Sequence, residues 1–435
     1  MSAKAEAGRA EHFGRHLIDY GFEFFPTLIE SARGTTLRDV EGRELLDFTS
    51  GQMCATLGHN HPEIVAAIEK ACGEALHLFS GMLGVPVVRL SEELAALLPP
   101  GLQKMLFLNT GAEANEAALR MAKLHTGRFE VLAFTGSWHG LTAGVSSITY
   151  AGGHCGYGPG LPGAMALPAP NCYRCPVRHC RERCDMTCLE VGLALADAQS
   201  VGSLAAVVAE PVLSAAGVVV PPPDYFRRLK AECEKRGMVL ILDEAQTALG
   251  RLGANFAFEL FEVEPDFLTL SKTLGGGLPL SATVTGEAIE ADCAAKGFLH
   301  VTSHISDPLP AEVGRAVLRV LAAESLVERA QRLGAYLRQG LEDLRARHEA
   351  IGDLRGLGLL WGVELVRDRE SRKPDAELGA AVTRRCRELG LSMNIVGVTG
   401  MAAIWRIAPP LTVTEAELDR GLEIIDRALT ELRAP

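Results

Sequence analysis

Between about residues 62 and 300 the chain alternates short apolar runs with longer stretches whose apolar positions recur at helical spacing. The runs fall at 105 to 108, 131 to 134, 205 to 209, 238 to 242, 267 to 270 and 281 to 285. Continuous apolar or β-branched runs of this length suit strands covered on both faces, so the pattern predicts an α/β fold with a mainly parallel sheet between helical layers. After Ala311 the pattern changes to long amphipathic stretches rich in Arg and Glu, with a strand expected over Leu359–Leu365. A last helix should open at Thr414-Glu415-Ala416-Glu417, where Thr and Glu have capping-box spacing. This places a large α/β domain over 61–310 and a smaller α+β domain over 311–435.

Ligands of an open parallel sheet sit beyond the carboxyl ends of its strands, where Thr110, Glu210, Asp243 and Lys272 fall. Lys272 closes the 267 to 270 run and opens onto Thr273-Leu274-Gly275-Gly276-Gly277, 29 residues after Asp243. An amine at the mouth of a buried strand is desolvated, which lowers its pKa and frees the neutral nucleophile for Schiff-base chemistry. Asp243, ending a neighbouring strand, is placed to hold a ring nitrogen protonated. Together they meet the needs of pyridoxal 5'-phosphate (PLP), whose ring serves as an electron sink. For its phosphate, Asn109-Thr110-Gly111-Ala112-Glu113-Ala114-Asn115 leads into a helix whose first amides and dipole favour an anion, with the Thr110 hydroxyl as a further donor. Such a turn alone is most simply an N-cap. Trp138, in Ser137-Trp138-His139-Gly140, offers a flat ring for stacking.

Composition narrows the partners. A chain of 435 residues with 48% hydrophobic residues and 45 glycines can bury a large α/β core. Its net charge of −11 argues against nucleic acid or an anionic membrane. The start of the chain lacks the apolar core of a signal peptide and no apolar stretch reaches membrane-spanning length, so a cytoplasmic location is expected. In Gly58-His59-Asn60-His61-Pro62 a turn before a helix is expected rather than a metal site.

Several strings identify a family. Asp243-Glu244-Ala245-Gln246 and Ser271-Lys272-Thr273 resemble class III, fold type I PLP-dependent enzymes, and the resemblance runs from about Phe13 to about Ala428. Narrower strings around Gln52, Ser80 and Asn394, with Ser306-Asp307-Pro308-Leu309-Pro310, resemble the 2,2-dialkylglycine decarboxylases of that class. The resemblance implies that Lys272 carries the cofactor and moves a proton between substrate and cofactor carbons. Asp243 would pair with the ring nitrogen, Gln246 with the phenolic oxygen, and Ala245 and Trp138 would flank the ring. Gly111, Ala112, Asn115 and Glu210 would complete the cofactor set, with Ser303 reaching the phosphate from a partner subunit of a homodimer or dimer of dimers. Arg406 would grip a substrate carboxylate and Gln52 the carboxylate that leaves as carbon dioxide. The resemblance also implies that the 1–60 segment packs with the smaller domain.

The activity so implied is decarboxylating transamination of 2,2-dialkylglycines such as 2-aminoisobutyrate, with a 2-oxo acid such as pyruvate as acceptor. The alternatives are a plain class III aminotransferase on an α- or ω-amino donor, and an inactive metal-binding scaffold. An alkali ion, K+ or Na+, is implied at the Ser80, Ser303 and Asp307 side chains with the Leu78 and Ile305 carbonyls. Ala215 departs from the pattern, where a serine is expected. The largest departure is the insert at 171–188, which holds five of the 11 cysteines. Its Cys172-x2-Cys175-x8-Cys184-x3-Cys188 spacing suits tetrahedral Zn2+, with Cys180 and His179 to spare; free thiols or disulfides are the other reading.

Overall fold

The computed structural model describes residues 16–433 apart from 19, 22, 23, 26, 153–156 and 396–402. Phe13 and Val396 of the resemblance lie outside the described residues, and the side chain of Asn394 is not described. Three antiparallel strands come first, β1 (Ile29–Arg33), β2 (Thr36–Asp39) and β3 (Glu44–Asp47). A seven-stranded sheet follows, built from β4 (Lys104–Leu108), β5 (Glu130–Phe134), β6 (Ala164–Leu167), β7 (Leu204–Ala209), β8 (Val239–Asp243), β9 (Phe267–Leu270) and β10 (Ser281–Thr285). Their order is β4-β10-β9-β8-β7-β5-β6, and β10 runs antiparallel to both neighbours while the pairs among β5 to β9 are parallel. The α/β architecture and six of the strands fall where the apolar runs predict. β6 was not anticipated.

Alternation within the strands explains the layering. Leu132, Phe134, Val207, Leu240, Leu242 and Leu268 face one core, shared with Tyr225, Phe226 and Leu229 of the helix Tyr225–Arg236. Val131, Ala133, Val208, Val239, Ile241 and Phe267 face the other, shared with Ala118, Leu119, Met121 and Ala122 of the helix Gly111–Thr126. Both faces are apolar because both are covered. The helices leave only the strand ends open, and these form the site.

The C-terminal region adds β11 (Ile351–Leu357), β12 (Leu360–Leu365), β13 (Leu391–Ser392), β14 (Asn394–Ile395) and β15 (Ile404–Ile407). β11, β12, β15 and β14 make one sheet, in which Arg406 of β15 stands opposite Gly362 of β12 and Asn394 of β14. β13 pairs in parallel with β3, so the N-terminal strands and the C-terminal region share a sheet. The last helix, Glu415–Arg433, begins with the expected capping box: the Glu417 amide donates to the Thr414 hydroxyl and the Thr414 amide to the Glu417 carboxylate. Among the described residues no helix is long and apolar enough to cross a membrane.

Candidate active site

Lys272 follows β9 in a short 3-10 turn, Lys272–Gly275, with a backbone φ of +47°. A left-handed conformation at a residue with a side chain costs about 1–2 kcal/mol and persists where the surroundings fix it. The amine faces a cavity also lined by Gly111, Ala112, Asn115, Trp138, Glu210, Asp243, Ala245 and Gln246, so nine of the residues anticipated for the cofactor meet in one place. Burial lowers the Lys272 pKa, opposed by the charge of Asp243, and Arg406 lowers it further. No hydrogen bond or ion pair holds this amine among the described residues. A partly dehydrated amine with no partner is the nucleophile that Schiff-base chemistry requires.

Asp243 ends β8 and is 4% exposed. Its Oδ2 accepts from Asn115 Nδ2 at 2.7 Å and is 2.9 Å from His139 Nδ1, and its Oδ1 accepts from the Ala245 amide at 3.1 Å. Burial alone would raise this carboxyl, but the hydrogen bond and charge of His139, with the Ala245 and Asn115 donors, hold it below its ordinary value. Asn115 is saturated, because it also donates to the His139 carbonyl and accepts from Thr269 Oγ1. Asn115 is thus tied to the cavity through Asp243. His139 was missed in the sequence because its meaning depends on a residue 104 positions away; its Nε2 is buried without a partner.

Glu210, beyond β7, accepts from the amides of Trp138 and Ser214. Burial, opposed by His139 and reinforced by the charge of Asp243, pushes its carboxyl up to about 7. Arg406 lies within electrostatic reach of Glu210 and is 8% exposed; its Nη1 donates to Ser214 Oγ and Gln246 Oε1, both at 3.3 Å. Burial lowers the guanidinium pKa to about 10, opposed by Glu210. Ala215, lacking the expected hydroxyl, is buried next to Ser214.

The segment expected to take the phosphate is a helix start. Thr110 caps the helix Gly111–Thr126 in a full capping box with Glu113, so its hydroxyl is engaged there and it does not line the cavity. The amides of Gly111 and Ala112 open this helix at the cavity wall. Gly140, at φ +123°, lets the Trp138 loop lie against that start: a Cβ there would come within 2.5 Å of the Ala112 Cβ. Gly140, Val212 and Thr247 line the cavity without having been anticipated.

Gln52 is not brought to the cavity wall. It lies exposed in a left-handed turn, with φ of 48°, 53°, 62° and 62° over Ser50, Gly51, Gln52 and Met53. Asp47 accepts from the Gly51 amide, the Ser50 hydroxyl donates to the Ala408 carbonyl, and buried Arg251 donates to Ser50 Oγ and the Pro409 carbonyl. The turn is therefore anchored to the loop after Arg406. Nearby, His59 is bound to Asp47, and His61 accepts from the Glu63 amide before Pro62 at the helix start. Those two histidines take the structural roles expected of them.

The residues implied for an alkali ion make side-chain bonds of their own. Asp307 Oδ1 lies 2.6 Å from His77 Nδ1 and Oδ2 lies 2.7 Å from His304 Nδ1, while Ser80 Oγ donates to the Thr302 carbonyl. Leu78 and Ile305 are half-buried on the same two loops, and Ser303 is exposed away from its own chain's cavity.

The family model for class III aminotransferases matches residues 20–429. The chain belongs to that family. An uncharacterised aminotransferase of Schizosaccharomyces pombe is 48% identical over 417 residues, covering 96% of this chain and 93% of the relative. A 5-aminovalerate aminotransferase of Pseudomonas aeruginosa is 36% identical, covering 94% of this chain and 95% of the relative. A solved (S)-enantioselective ω-transaminase from Thermomicrobium roseum superposes with a TM-score of 0.90 at 29% identity over 100% of both chains. The fold is accordingly that of fold type I, the chain is an enzyme, and PLP is the cofactor of the family. The residues present fit it, because amine, buried carboxylate and helix-start amides converge on one cavity. The inactive-scaffold alternative is replaced, and likeness to decarboxylases in particular is not what these relatives show.

Proposed function

We propose that this enzyme moves the amino group of an α- or ω-amino acid to a 2-oxo acid such as pyruvate, without loss of carbon dioxide. The observation that carries the reading is Arg406: a buried guanidinium bonded to Gln246 of the cavity lining and, among the described residues, hydrogen-bonded to neutral oxygens only, is a ready partner for a substrate carboxylate. Bound PLP supplies the electron sink that lets a bond at the amino-bearing carbon ionise. Asp243 would hold its negative charge towards the ring nitrogen, and the His139 and Asn115 bonds keep it from turning away. Lys272 would hold the cofactor and serve as the base at the amino-bearing carbon of the substrate, since its lowered pKa makes the amine available. Trp138 and Ala245, on the cavity wall, would flank the ring and exclude water.

The reading without decarboxylation is supported by the 5-aminovalerate aminotransferase among the relatives. We also propose a homodimer in which Ser303 serves the partner's cavity. Its support is apolar surface: Phe79, Met82, Leu83 and Val85 beside Ser80, and Leu299 and Val301 beside Ser303, are each more than half exposed.

The test offers pyruvate with 5-aminovalerate, 4-aminobutyrate, an α-amino acid or 2-aminoisobutyrate, and follows alanine and carbon dioxide together. Alanine from an ω- or α-amino donor without carbon dioxide is expected. Carbon dioxide in step with alanine from 2-aminoisobutyrate, and from no other donor, would overturn the reading in favour of the decarboxylase.

A further inference from the structure

The cysteine insert gathers thiols far more tightly than the active site needs. Cys175, Cys180 and Cys188 are buried with their sulfur atoms all within 4.8 Å of one another. Cys184 packs against them, Cys172 contacts Cys184, and Cys188 contacts Cys175. Cys172, Cys175, Cys184 and Cys188 share one small cavity with Tyr225, and all four are free thiols. The two flanking segments are built as short turns: Asn171 Oδ1 accepts from the Arg174 amide around Cys172–Arg174, and Cys188 sits in the first turn of the helix Thr187–Gln199.

One observation beside the thiol cluster points to a ligand. The Tyr225 hydroxyl is wholly buried, lines that cavity and has no hydrogen-bond partner, although a buried phenol ordinarily finds one.

We propose that Cys172, Cys175, Cys184 and Cys188 hold one tetrahedral Zn2+, with the Tyr225 hydroxyl donating to a ligand sulfur. Cys180 stands outside the set, because its thiol already donates to Asp185 Oδ1 at 3.4 Å, and His179 binds the same carboxylate. Each ligand sulfur releases its proton to solvent as it binds the ion, so about four protons leave per zinc and the ion is lost as pH falls. The site braces two regions. Between the first two cysteines, Tyr173 accepts from Arg372 through its carbonyl and Arg174 is paired with Glu364 of β12, so the metal would fix the insert against the C-terminal sheet.

The test uses the full-length holoenzyme, purified without chelator or metal-affinity resin. Elemental analysis should find about one zinc per chain. Cobalt exchanged for the zinc should give the near-ultraviolet charge-transfer absorption of thiolate-bound Co2+. Cys175→Ser and Cys188→Ser should each lose the metal, whereas Cys180→Ser should keep it. If the ligand variants fail to fold, zinc content, cobalt spectrum and thiol titration of the wild-type chain decide. Wild-type protein that takes up no zinc after dialysis, with the insert's thiols freely titratable or joined in disulfides, overturns the site. Retention by Cys188→Ser with loss by Cys180→Ser overturns the assignment of ligands.

Discussion

Asp243 and Glu210 are both buried carboxylates at the ends of adjacent parallel strands, and their chemistry is opposite. Burial pushes each towards the neutral acid. At Asp243 three donors and the charge of His139 reverse that push and leave a fixed anion. At Glu210 the charge of His139 and two backbone amides are outweighed by burial and by the Asp243 charge, so the carboxyl is pushed up to about 7. Similar burial thus gives a permanent charge and a switchable one on the wall of one cavity. What differs is the number of donors, and that His139 bonds Asp243 directly but reaches Glu210 only through its charge. The first suits a ring nitrogen that must stay protonated throughout the cycle. The second suits a position beside Arg406 that must admit and release a carboxylate.

The largest effect should come from removing the fixed charge. Asp243→Asn should keep its cofactor, seen by absorbance, yet lose turnover by roughly a hundredfold to a thousandfold, since breaking a buried charge pair costs about 3–5 kcal/mol. Near-normal kcat would contradict the distinction. A smaller loss is expected when the charge stays and its support goes. His139→Phe removes one charged hydrogen bond, worth about 1.5–3 kcal/mol, and should lower kcat/KM about tenfold to a hundredfold. Removing a cause that lowers the Asp243 pKa raises it, so the acid limb of the pH profile should move to higher pH in this variant. An unmoved limb would make His139 a packing residue only.

How much of this was legible depends on distance along the chain. Asp243, Lys272 and Glu210 each end a run of buried apolar residues, so strand periodicity alone puts them at one rim. The reversed direction of β10 leaves no local trace, because Ser281–Thr285 reads as a strand in either sense. β6 was missed because Ala164-Met165-Ala166-Leu167 lacks the β-branched and aromatic residues that mark strands. The bond from His139 to Asp243 and the raised Glu210 arise only when separate strand ends meet. The left-handed turn at Gln52 was equally hidden, since Ser50, Gln52 and Met53 do not advertise positive φ. The family strings say nothing of where the Gln52 side chain stands.

The smallest effect sharpens the phosphate end. Thr110→Ala removes a helix cap worth about 1 kcal/mol, so the melting temperature should drop by a few degrees and PLP should dissociate somewhat faster. A much larger loss of cofactor would show that the hydroxyl leaves Glu113 to bind phosphate directly.

The most direct measurement is the KM for pyruvate in the amino-accepting half-reaction, one pH unit below and one above 7, in wild type and Glu210→Gln. A folded carboxyl raised to about 7 is neutral below that pH and ionised above it, so above it the Glu210 charge, which reaches Arg406, opposes the entry of the pyruvate carboxylate. The wild-type KM should therefore rise as pH passes upward through about 7, by up to about tenfold per unit, while kcat changes little. Glu210→Gln should show a low KM that does not change across this range. An identical rise in both proteins would contradict the claim that Glu210 is the switchable charge on the cavity wall.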